Sequence, residues 1–192
     1  MVTEIRIYFE GDNALKPGFN VFLGEIKEKA RARRCRLSLI ATNGTPAEDY
    51  QIAVESHPNA WNVLLRDSEG PITTVLPEFC AQKNLAGHAD NVFWMVQVME
   101  SWFFADPDAL GRYYGDVFQK NALKRNPQIE HIPKDDILSS LKAASKKTKK
   151  GEYQKTAHPP RLLASIDPEL VKAAAPNCRR LFDRLLAKLS EG

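Results

Sequence analysis

Apolar and polar residues alternate from Glu4 to Phe9, "EIRIYF", with Ile5, Ile7 and Phe9 on one side and Arg6 and Tyr8 on the other. A period of two predicts a strand. From Leu15 to Arg34 the spacing changes, and Phe19, Phe22, Leu23, Ile26 and Ala30 recur at threes and fours with Lys27, Lys29, Arg31 and Arg33 between them. That period predicts one amphipathic helix. "RLSLIA", Arg36 to Ala41, reads as a second strand. "TPAE" then starts a helix reaching Ser56: Thr45 suits the cap, Pro46 the first helical position, and Glu48 closes a capping box. "WNVLL", Trp61 to Leu65, is almost continuously apolar, the pattern of a strand covered on both faces.

Strand, helix, strand, helix, strand with short crossovers predicts a parallel sheet with right-handed connections. Pro71 to Asn91 is less regular and reads as a connection with a short helix, and "NVFWMVQV", Asn91 to Val98, as a fourth strand. "MESWFFADPDALGRYYG" is helical in pattern, restarted where Asp106 precedes Pro107. Pro133 to Ser145 places Ile137, Leu138 and Leu141 on one helical face, with Asp135 and Asp136 at the positive end of the dipole. Asp167 and Pro168 open a further helix. Pro176 restarts it, and Leu181, Phe182, Leu185, Leu186 and Leu189 stripe a terminal helix that must dock. The expected organisation is an α/β core over 1–115 and a helical extension over 116–192 packed on it.

At 192 residues and 43% hydrophobic content the chain suffices for one globular domain, with or without a small appendage. Cys35, Cys80 and Cys178 are odd in number and widely spaced, which favours neither a disulfide framework nor a zinc knuckle and fits reduced thiols in a cytoplasm. The opening residues lack a secretory layout, and no window approaches the roughly 18 apolar residues of a membrane span, so a cytoplasmic protein without membrane association is expected. The net charge of +3 does not by itself point to nucleic acid. Its distribution is more telling. Lys142, Lys146, Lys147, Lys149 and Lys150 precede the first interleaved acid, Glu152, with Lys155 beyond. Such a run neutralises phosphates or stands as a solvated loop.

The first and third strands both stop on charge. Glu10 is followed by Gly11 and Asp12, and Asp67 by Glu69, and in a parallel sheet these ends share the edge where ligands bind. If the backbone stays extended, Asp67 and Glu69 point the same way. Converging carboxylates repel one another unless a cation sits among them, and Mg²⁺ or Mn²⁺ suits oxygen ligands. A single acid at a strand end also arises because the chain meets water there; the combination is what singles out this edge. Glu100, where the fourth strand gives way to a helix, is a further candidate ligand or a carboxylate at a helix N-terminus. Trp102, Phe103 and Phe104 read as core. The histidines form no ligand or relay spacing, and no Walker motif is present.

"YFEGDN" followed by "LLRDSEG" resembles the Toprim domain of topoisomerases, primases and overcoming-lysogenization-defect nucleases. "VMESWFFADPDAL" with "GEYQKTAHPPRLLASID" is similar to the bacterial family known as domain of unknown function 4276, itself Toprim-related, and this likeness covers nearly the whole chain. The resemblance implies a Rossmann-like α/β fold, a mostly parallel sheet flanked by helices, with a helical C-terminal extension. It implies that Glu10 acts as general acid or base and touches metal, that Asp67 and Glu69 match an Asp-x-Asp metal pair with glutamate in the second place, and that Asp12 is an outer ligand. Lys155, in a Tyr-x-Lys piece, would reach a phosphate or the attacking water, and Lys146, Lys147, Lys149 and Lys150 would bind nucleic acid. The expected activity is Mg²⁺- or Mn²⁺-dependent cleavage of nucleic acid in phage defence with a partner ATPase. A non-catalytic subunit binding that ATPase, and a metal-dependent phosphatase or nucleotide hydrolase, are the alternatives.

Overall fold

The structure is a computed structural model describing residues 2–42 and 44–191. Four strands, β1 (Glu4–Glu10), β2 (Arg36–Thr42), β3 (Trp61–Asp67) and β4 (Val92–Met95), form one sheet in the order β2-β1-β3-β4 with every pairing parallel. Their carboxyl ends therefore share an edge, with Glu10 in register with Thr42, and Asp67 with Met95.

Alternation along the strands builds two cores. Ile5, Ile7, Phe9, Val63, Leu65, Phe93 and Met95 face α1 (Lys16–Phe22), α2 (Gly24–Ala32) and the C-terminal third of the chain. Tyr8, Leu64, Val92, Trp94 and Val96 face α3 (Pro46–Ser56) and α4 (Leu76–Gln82) through Tyr50, Ala53, Phe79 and Cys80. A sheet covered on both sides explains the continuous apolar run of β3. After β4, Met99–Ala105 forms a 3-10 segment whose Trp102, Phe103 and Phe104 are buried as expected, and Phe22 stacks on Trp102 at 4.9 Å.

There follow α5 (Pro107–Tyr114), α6 (Lys134–Ser145), α7 (Pro159–Leu163), α8 (Pro168–Ala174) and α9 (Pro176–Ser190). Leu181, Phe182, Leu185 and Leu189 of α9 are buried in the first core, and Arg180 donates to the carbonyls of Val92 and Ala89. The close approach of α1 to α7 depends on Gly18, where a Cβ would lie 2.6 Å from the Pro160 carbonyl oxygen.

Three expectations are corrected. The helix expected from Leu15 to Arg34 breaks at Leu23, between α1 and α2, where Gly24 is a poor helix former. Both halves face the same core, so the period runs across the break. The fourth strand is shorter than its apolar run, because Val96 and Val98 are buried outside the ladder. Thr45 makes no side-chain cap bond to α3, whereas Asp106 and Asp167 accept from Ala109 and Glu169 N–H as caps. No helix among the described residues is long and apolar enough to cross a membrane.

Candidate functional site

β1 delivers Glu10 to the carboxyl edge, and Gly11 then turns the chain away at φ 129°, a conformation that favours glycine. A Cβ there would also stand 2.5 Å from Leu15 Cδ1. On the neighbouring strand Asp67 lies beside Glu10, its N–H donating to Glu10 Oε2 at 3.2 Å. Asp67 Oδ1 accepts from the Met99 N–H at 2.8 Å, which ties the end of β3 to the 3-10 segment after β4. Glu100, only 5% exposed, is the next residue of that segment, and its Oε1 accepts from the Tyr153 hydroxyl at 2.8 Å. Tyr153 is itself 2% exposed and its N–H donates to Ser145 Oγ, at the end of α6.

Crowding of like charge shows in the acidities. The Asp67 carboxyl is pushed well above the usual carboxylate range, by burial first and then by the charges of Glu100 and Glu10. Glu10 is also raised, chiefly by burial, against the opposing Arg66 guanidinium and the Asp67 N–H. Arg66 Nε lies 3.6 Å from Glu10 Oε2, and the guanidinium sits over the Trp94 ring at 5.5 Å. That Nε is buried and has no hydrogen-bond partner among the described residues.

Glu69 departs from the extended geometry that would align it with Asp67. Its φ is 63°, and its exposed side chain forms an ion pair with Lys134 Nζ. The Lys134 ammonium is held above its ordinary value by this bond foremost, with the charges of Asp67 and Glu100 adding to the effect. Lys134 is the site residue that sequence reasoning missed. It occupies the first position of α6, the end where a helix dipole disfavours a cation. Asp135 and Asp136 in the same turn already offset that cost, so the sequence carries no clear signal for its pairing with Glu69. Its backbone N–H donates to Gln97 Oε1, which fixes the helix start against the residues after β4.

The remaining candidates are dispersed. Asp12 is exposed and caps the 3-10 turn Asn13–Leu15 through the Ala14 N–H, and among the described residues it makes no bond to the cluster. Lys155 is exposed and, with Leu138, Lys142, Glu152, Tyr153 and Gln154, lines a cavity of about 490 Å³; among the described residues it makes no hydrogen bond to the carboxylates. Lys146, Lys147, Lys149 and Lys150 are all exposed, with Lys150 Nζ over the Tyr113 ring at 4.9 Å. Buried Thr148 and Tyr153 anchor the stretch from which they project. Among the described residues no three His, Cys, Asp or Glu side chains are gathered so as to hold a metal ion on their own.

A four-stranded parallel sheet of this order, with paired acids on its carboxyl edge and helices on both faces, defines an α/β protein. The chain belongs to the family described as Domain of unknown function (DUF4276), which matches residues 22–186, so Glu10 lies ahead of the matched range. It is similar in structure to the C-terminal region of the Burkholderia pseudomallei OLD protein, with a TM-score of 0.57 and 14% identity over 98% of this chain and 99% of that one. At that identity the likeness carries the fold. No curated protein matches the sequence.

Proposed function

We propose that the protein is a divalent-metal-dependent phosphodiesterase acting on nucleic acid. The observation supporting this reading is the meeting of Glu10, Asp67 and Glu100, from three separate chain segments, in one electrostatically coupled cluster at the sheet edge. The donors are all carboxylate oxygens, the chemistry Mg²⁺ or Mn²⁺ prefers, and such ions often take only one or two carboxylates and complete their shell with water and substrate phosphate. Glu10 and Asp67 fit that two-carboxylate role, with the Glu100 charge acting on Asp67. A bound ion would supply Lewis-acid polarisation of the phosphate. Glu10, whose proton affinity is already raised, is suited to take a proton from the attacking water. Arg66 and Lys134 balance the negative edge, and Lys146, Lys147, Lys149, Lys150 and Lys155 offer cations to the phosphate backbone. Pairing with an ATPase in phage defence belongs to the same reading.

The Lys134–Glu69 ion pair favours a second reading, a non-catalytic subunit that keeps the fold and binds a partner ATPase, because it removes one carboxylate from the edge. Calorimetric titration of Mn²⁺ into the wild type and Asp67→Ala, followed by cleavage assays on labelled DNA and RNA with Asp67→Asn, separates the two. The phosphodiesterase reading requires metal binding and cleavage that both vanish in folded variants. Cleavage that persists in Asp67→Asn, or wild type that neither binds metal nor cleaves with substrate present, sinks it.

A further inference from the structure

We propose that the cavity beside α6 is a nucleobase subsite, taking one unstacked base of a single-stranded nucleic acid whose adjacent phosphate reaches the acidic edge. This rests on the phosphodiesterase reading for its orientation, but its own support is local.

The cavity measures about 490 Å³, within the roughly 300–1,000 Å³ of sites that take small organic ligands. Tyr153 lines the cavity and also donates through its hydroxyl to Glu100, so cavity and cluster share this residue. On the other side α6 makes the same connection, since Lys134 pairs with Glu69 and Leu138, one turn later, lines the cavity.

The lining is mostly apolar with a few polar groups, which suits a base. Half-buried Leu138 presents an apolar surface to a ring face. Glu152 offers acceptors for an exocyclic amine, and the Gln154 amide offers both a donor and an acceptor to a base edge. Exposed Lys142 and Lys155 also line the cavity, outnumbering Glu152 in charge, and offer cations to the flanking phosphates of an entering strand. A duplex hides base edges and faces in its stack, so only an unpaired base can use such a lining.

Fluorescence anisotropy without divalent metal tests this. The probes are labelled DNA and RNA single strands of about twelve nucleotides, the same DNA as a duplex, and a DNA strand with abasic sugars. Leu138→Gln and Gln154→Ala are each expected to weaken binding of the intact single strands about fivefold and duplex binding less than about twofold. The abasic strand should bind the wild type no better than the intact strand binds the variants. Replacing Lys146 and Lys147 by alanine should weaken every probe alike. The subsite is overturned if the two variants lower duplex and single-strand affinity by the same factor, if neither changes single-strand affinity, or if the abasic strand binds as tightly as the intact one. Leu138 is half-buried whereas Gln154 is exposed, so the second variant keeps the test usable if the first misfolds. Failure of the phosphodiesterase reading shows elsewhere: base-dependent binding then survives intact in a protein that cleaves nothing.

Discussion

Tyr153→Phe removes one oxygen from the interior and leaves the ring in place. Its hydroxyl donates to Glu100 Oε1 at 2.8 Å, with tyrosine and glutamate 2% and 5% exposed, so water does not replace the lost donor. A hydrogen bond to a charged group contributes about 1.5–3 kcal/mol, and the phenyl ring leaves no cavity, so a loss of about 2 kcal/mol is expected. For a chain of this size that corresponds to a fall in melting temperature of about 4–8 °C. The double-mutant cycle is more discriminating. In a Glu100→Leu background the tyrosine hydroxyl becomes a buried donor without an acceptor, and the same Tyr153→Phe change should be neutral or stabilising. Urea and thermal denaturation at neutral pH, followed by circular dichroism, measure all four proteins. An equal cost of Tyr153→Phe in both backgrounds, or a cost under about 0.5 kcal/mol in the wild type, refutes the coupling.

Asp106 bonds two elements at once: Oδ1 accepts from the Ala109 N–H at the start of α5, and Oδ2 from the Asp167 N–H ahead of α8. Asp106→Ala should therefore cost about 2 kcal/mol in urea denaturation, against about 1 kcal/mol for Asp167→Ala, which loses a single exposed cap. For pH, the raised pKa of Asp67 means that the folded protein holds this proton more tightly than the unfolded chain, so its ionisation destabilises the fold as pH rises. Asp67→Asn, which mimics the protonated form, should be the more stable protein at neutral pH without metal, with the gap closing as pH falls towards about 4. His158, held neutral by burial, pushes the other way in both proteins and cancels from the difference. A gap that stays constant between neutral pH and 4 contradicts the assignment.

The sheet was legible because burial on two faces writes itself into β1 and β3 as alternation and as a continuous apolar run. Asp106 was legible because a cap acts within three residues of itself. Breaks were not. Leu23 is as buried as Phe22 and Ile26, so the apolar period runs through the break and only Gly24 marks it. At the site, Glu10 and Asp67 follow from strand ends and parallel topology alone. Lys134 does not, because its partner Glu69 lies 65 residues earlier and turns towards it only through a left-handed backbone conformation. The Tyr153–Glu100 bond spans 53 residues and depends on how the C-terminal third docks, which periodicity cannot specify.

Helix α6 touches the acidic cluster at one end and opens into the lysine run at the other. Its backbone climbs about 18 Å between Lys134 and Lys146 at 1.5 Å per residue. An α-helix hardly stretches, so that separation is fixed, and under the proposed function it would act as a ruler of close to five phosphates at the 3.4 Å axial spacing of one strand. Inserting or deleting a turn of α6 would reset the ruler by about 5.4 Å and change no side chain at either end.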